Sequence, residues 1–182
     1  MADFAEDTVT THTFGDLHSF GVRVEIADNP HYAISWVKVG FSLAGQLRGV
    51  HKDWVRLDDV RSDAVSYLRP HHGRRKCLLF QDISNEQVFA HFKQVTLGEP
   101  ASNPMWPEDF WPYIINFSWI GLWIYLVDDG KSARILYKEK EQNPLLCELG
   151  DIASFEKTLA DFTDFLEQFE ADWHLRRNAT LH

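Results

Sequence analysis

The stretch FEKTLADFTDFLEQFEADW, Phe155 to Trp173, leaves little freedom in how this chain can fold. Phe155, Leu159, Phe162, Leu166, Phe169 and Trp173 follow at intervals of four, three, four, three and four. Steps of that size stay on one side of an α-helix, and Phe165 widens the stripe. Burying each of these side chains contributes roughly 1.5–3 kcal/mol before entropy is subtracted. The spacing therefore predicts a helix from Ser154 to about Trp173, laid on an apolar surface. The simplest such surface is a sheet of the same domain. A coiled coil fits less well, because Phe and Trp fill a and d holes poorly and only about three heptads are present.

The rest of the chain supplies that sheet. Ser19–Ala27 alternates Phe20, Val22, Val24 and Ile26 with Gly21, Arg23 and Glu25, the period of a half-buried strand. Tyr32–Gly45 is rich in β-branched and aromatic residues and pairs with it as a hairpin. A short strand over Gln46–Gly49, extending at most to Trp54, follows the Gly45 turn. The period then changes. Leu57, Val60, Ala64 and Leu68 predict a helix with Asp58 or Asp59 as its N-cap. Ser84 with Gln87 three residues on is a capping-box pattern, opening a second helix with the stripe Val88, Phe92 and Val95 and with Phe89 beside it.

Farther on, YIINFSW, IGLWIYLVD, SARILYKE and LLCEL read as strands, and DDGK (Asp128–Lys131) as a hairpin turn. Antiparallel hairpins flanked by helices mean an α+β fold: a single domain over 14–182, an antiparallel sheet of hairpins packed with helices, and a long C-terminal amphipathic helix. Residues 1–13 are expected to form a flexible polar lead-in.

Charge bounds the partners. The chain carries a net charge of −9. That argues against a binder of nucleic acid or anionic membrane, since both need positive charge, and it suits a basic protein partner. Two cysteines, Cys77 and Cys147, make no disulfide framework, which points to a reducing cytoplasmic compartment. The acidic N-terminus has neither the basic nor the apolar region of a signal peptide. Neither G-x-S-x-G, G-x-G-x-x-G nor a P-loop is found, so no catalytic residue, cofactor or metal is assigned, and no enzymatic activity is expected. His71-His72 and the scattered His12 and His18 lack ligand spacing; a solvated loop accounts for the former.

The outer side of the terminal helix holds Asp161, Asp164, Glu167 and Glu170, with Lys157 the single base between Phe155 and Trp173. Like charges three residues apart repel by a few tenths of a kcal/mol per pair. Acids in the first turn gain from the helix dipole, but those late in the helix do not. Taken alone, the row is a solvated face on an acidic protein. Its functional reading is a field that draws in a basic partner and then pairs with its Arg and Lys side chains. The Pro-rich connection GEPASNPMWPEDFWP adds Trp106, Phe110 and Trp111 as aromatic anchors, and Asp109 as a charge, for the same partner. Plugging of the core by a folded-back loop is the equal alternative there.

FGDLHSFGVRVEI, VGFSLAGQLRG and VRLDDVRSDAVSYL together resemble immunity proteins of bacterial polymorphic-toxin systems, in particular the type numbered forty-two. The likeness covers roughly Phe14 to Leu68, with an echo in IYLVDDGKSARILY. It implies a small intracellular antidote that binds a cognate toxin, such as a nuclease, and blocks it. It transfers no catalytic residue. An adaptor or chaperone for a secreted effector is the other kind of interaction protein that the composition fits.

Overall fold

Alternation in the first hairpin becomes one wall of the core. The computed structural model describes residues 8–28, 34–49, 54–68, 80–98, 113–115, 122–128, 132–139 and 143–180. Strands β2 (Phe20–Asp28) and β3 (Trp36–Leu43) pair antiparallel, with Phe20 opposite Leu43, Val22 opposite Phe41, Val24 opposite Val39 and Ile26 opposite Val37. All eight side chains lie on one face, and all are buried.

Strand β1 (Thr8–Gly15) lines the other edge of β2. Residues 8–13, expected in a flexible lead-in, are therefore part of the sheet. Their run of Thr and Val suits a pleated edge, and alternation places His12 and Phe14 inward. The expected single strand after Gly45 is instead two short ones: β4 (Gln46–Arg48) and β5 (Val55–Arg56) pair with opposite ends of β3.

Helix α1 (Leu57–Asp63) starts directly from β5 and passes into a π-helical turn, Ala64–Leu68. Its cap position is Arg56, without a side-chain cap. Asp58 and Asp59, each expected as N-cap, lie instead in the first turn, where carboxylates meet the positive end of the dipole. Asp58 also accepts from Arg56 Nε at 3.1 Å.

The second sheet runs β6 (Tyr113–Ile115), β7 (Trp123–Asp128), β8 (Ala133–Lys138) and β9 (Leu146–Gly150), all antiparallel in chain order. Its central strands are apolar on both faces. Ile124, Leu126, Ile135 and Tyr137 join the core built on β2 and β3. Tyr125, Val127 and Leu136 face a second cluster with Phe80 and helix α2 (Asn85–Thr96). A strand buried on both sides needs no polar alternation, which explains the continuous apolar run in IYLV.

The capping box of α2 forms as expected, Gln87 N donating to Ser84 Oγ and Ser84 N to Gln87 Oε1. Its buried face is Val88, Phe89, His91 and Phe92, while the expected stripe member Val95 is 41% exposed. Arg134 pins the start of this helix, donating to Ile83 O at 3.2 Å, to Asn85 Oδ1 at 3.0 Å and to Phe80 O.

Burial of His91 has a measurable consequence. Desolvation lowers its pKa from the ordinary value of 6.5. The unfolded chain then binds a proton that the folded one resists, so stability is present above that pH and is lost as pH falls through it. Unfolding free energies measured from pH 7.5 to 5 are expected to fall, and His91→Leu to flatten that slope. An unchanged slope in the variant would assign it elsewhere.

Helix α3 (Ile152–Thr180) closes the core. Asp151 caps it, its carboxylate accepting from Ser154 N at 2.9 Å. Phe155, Leu159, Phe162, Leu166 and Trp173 are buried as the spacing predicts; Phe165 and Phe169 are half-buried at the side. The helix packs on β1, β2 and α1. Gly15, at φ +72°, permits the closest approach: a Cβ there would lie 2.4 Å from Thr158 Oγ1. The helix runs seven residues past its expected end. The extension carries Arg176 and Arg177 over the rings of Phe169 and Trp173, at 5.8 and 5.7 Å, and both cations suit the negative end of the dipole.

Among the described residues, two sheets and three helices thus form a single α+β domain. Glu148 on β9 ties the sheets together, accepting from Ala44 N at 2.9 Å and from Tyr137 Oη at 2.7 Å. Among the described residues, no helix is long and apolar enough to cross a membrane.

Candidate partner-binding site

An α-helix turns about 100° per residue, so acids three apart slip back about 60° at each step. Asp161, Asp164, Glu167 and Glu170 therefore do not form a straight row. They wind from one flank of α3, across its outer side, to the other flank. Asp161 and Asp164 are exposed, and Glu167 is half-buried. Glu170 ends half a turn from Asp161, against α1, where its Oε2 lies 2.5 Å from Arg61 Nε. Only 19% of its side-chain surface is exposed.

Local pairing further divides the set. Lys157 Nζ meets Asp161 Oδ2 one turn on, at 2.5 Å, with both side chains largely in solvent. An exposed pair of this kind stabilises by a few tenths of a kcal/mol and leaves the acid accessible. Asp172 accepts from Gln168 Nε2 at 2.9 Å. Asp161, Asp164 and Glu167 are thus the solvent-side acids. Glu170 belongs to the seam between α3 and α1.

Trp106, Asp109, Phe110 and Trp111 lie outside the described residues, as do Cys77, His71 and His72. The other singled-out histidines have structural surroundings. The His12 ring rests 4.5 Å from that of Phe165. His18 gives its backbone N–H to Asp16 Oδ1 at 2.9 Å, in the turn that FGDLHS forms between β1 and β2. Cys147 is exposed on β9, and desolvation, the largest of several effects, raises its pKa. Among the described residues no group of three or more His, Cys, Asp or Glu could hold a metal ion.

Sequence reasoning missed the seam. There the end of α3, the start of α1 and the residues entering β3 border a half-open cavity of about 290 Å³, lined by Ile34, Ser35, Leu57, Asp58, Arg61, Glu170, Trp173 and His174. The one local signal was the 60° slip, which carries Glu170 toward the core. Its partner Arg61 is remote in the chain and could be found only in three dimensions.

No protein-family model matches the sequence, and no curated protein matches it. A solved structure does share the fold: CdiI from Burkholderia dolosa AUO158, at a TM-score of 0.53 and 16% identity, over 83% of this chain and 97% of that one.

Proposed function

We propose that this protein is an immunity protein that acts by binding a cognate, basic bacterial toxin and blocking it, not by catalysis. The observation that carries the reading is the fold shared with CdiI, a contact-dependent growth inhibition immunity protein, along nearly all of that chain. The resemblance of Phe14–Leu68 to immunity proteins of polymorphic-toxin systems supports it from the sequence side. Function in the cytoplasm, where such a toxin would act, follows from the same reading.

The mechanism has two parts. Asp161, Asp164 and Glu167 supply a negative field along α3 that steers a cationic surface toward it, and Trp106 and Trp111, with Asp109, anchor the docked partner. A protein of net charge −9 attracts a cationic enzyme at long range and gains selectivity over neutral surfaces.

The test is growth rescue. The C-terminal domain of a candidate toxin, sought as a large secreted protein encoded next to this gene, is expressed in a bacterial host, with and without this protein. Growth is expected to stop without it and to resume with it, and the two proteins to co-purify. A change in the level or export of that domain without rescue would favour an effector chaperone instead. A host that grows normally with the domain alone would remove the antidote reading.

A further inference from the structure

Strand β1 ends the first sheet, and among the described strands only β2 pairs with it. The β1–β2 ladder, from Thr8 opposite Asp28 to Gly15 opposite Gly21, runs without a bulge. At the turn, Asp16 N donates to Phe20 O at 3.0 Å. Ladder bonds of an antiparallel pair recur at every second residue. Phe14, His12 and Thr10 therefore bond to β2, while Thr13, Thr11 and Val9 turn their backbone groups outward. All three of these residues are exposed. Natural edges are blunted by charged side chains, proline or bulges, and TVTTHTFG has none of them. Such an edge is a template for a further strand.

What lies beside the edge narrows the partner. Helix α3 runs antiparallel along β1: Gly15 closes on Thr158, the Phe14 ring lies 5.8 Å from that of Phe162, and the His12 ring 4.5 Å from that of Phe165. Helix α1 follows β5, which pairs with β3, so α1 meets α3 on the side away from β1. Asp161 stands half a turn around α3 from Glu170, and Phe165 one turn beyond Asp161. Both therefore line the flank next to the outer edge of β1. Phe165 is half-buried and Asp161 exposed. Farther along, Arg176 lies over the ring of Phe169 at 5.8 Å and closes that end. The open shelf is thus one aromatic ring followed by one carboxylate, which holds Lys157 in solvent at 2.5 Å.

Four helical residues advance about 6 Å, and two strand residues about 7 Å. A strand laid on the β1 edge brings alternate side chains over the shelf at that interval. An apolar residue over Phe165 is then matched by a cation two positions away against Asp161, in the place that Lys157 takes in the free protein. We infer that an extended segment of the bound toxin, with an apolar residue and, two positions away, a lysine or arginine, adds to β1 as a further strand. This rests on the proposed immunity role and deepens it. Main-chain bonds hold the segment and the shelf selects its side chains, whereas the acids on the outer side of α3 set how fast it arrives.

The test is amide hydrogen exchange of the protein, free and bound to the toxin domain that it neutralises. Alone, Val9, Thr11 and Thr13 are expected to exchange fast, and Thr10, His12 and Phe14 slowly. In the complex the first three should slow by about tenfold or more. Protection of those three already in the free protein would mean that this chain or a second copy covers the edge, and overturns the inference. A complex in which they stay fast overturns it too.

Thr11→Pro removes one outward N–H at an edge position, where proline is tolerated. Dissociation of the toxin domain is expected about tenfold faster than from Thr11→Ala, which keeps that N–H. Equal rates from the two variants, both folded by circular dichroism, would place the segment elsewhere. If the wild-type protein binds no such domain, the immunity reading fails, and a short capped peptide alternating lysine and valine then decides the edge alone. Saturable shifts of the Val9, Thr11 and Thr13 amide signals, in the millimolar range, would support strand addition. No saturation, or tighter binding of the glutamate–valine counterpart, would sink it.

Discussion

Phe162→Ala is expected to lower the free energy of unfolding by about 3–5 kcal/mol. Phe162 is fully buried and lies in the cluster that joins the inner face of the first sheet, the inner face of the second sheet and α1. Its ring sits 5.8 Å from that of Phe14 on β1. Truncation removes the transfer energy of the ring and leaves a cavity between elements that cannot collapse onto one another, because both sheets are held by their own ladders. Domains of this size are stable by about 5–15 kcal/mol, so the loss is a large share of the total. Phe162→Leu, which keeps most of the volume, is expected to cost much less. Urea denaturation followed by circular dichroism measures both. A loss below about 1 kcal/mol for the alanine variant would mean that α3 is not docked as described.

Reversing Asp161, Asp164 and Glu167 together to Lys is expected to slow association with the toxin by about tenfold or more at low salt. The wild-type rate should fall steeply with ionic strength, and the two rates should converge near about 0.5 M, where the Debye length is only a few ångströms. Stability should hardly change, because Asp161 and Asp164 are exposed and the Lys157–Asp161 pair lies in high dielectric. Glu170→Ala should behave oppositely. It leaves the half-buried Arg61 without its counter-ion and is expected to cost about 1–3 kcal/mol of stability while altering the association rate little. Stopped-flow association at several salt concentrations, with thermal melts of each variant, separates the two classes. Equal association rates for the wild-type and triple-reversal proteins at low salt would sink the steering role.

The local devices of this fold could be read directly. The 4-3-4-3-4 spacing from Phe155 to Trp173 is satisfied by the α3 docking face, the alternation from Phe20 to Ile26 by the β2–β3 register, and Ser84 with Gln87 by the cap of α2. Each depends only on backbone periodicity or on groups three residues apart. Misreadings arose where two surfaces competed for one residue. Thr8 to Thr13 is polar in composition, yet an unsatisfied edge on β2 recruits it as a strand. Val95 fits a helical stripe, but the second cluster closes over Phe89 and His91 and leaves Val95 in solvent.

By itself, then, the sequence determined the β2–β3 hairpin, the helices and most of the residues that each turns inward, because those follow from side-chain period and from hydrogen bonds within a few residues. Only the tertiary structure decided that the described strands form two sheets instead of one, and that Glu170 leaves its acidic neighbours to meet Arg61 in the seam between α1 and α3. Such pairings join residues far apart in the chain, and their energy depends on distance and burial that no local pattern encodes.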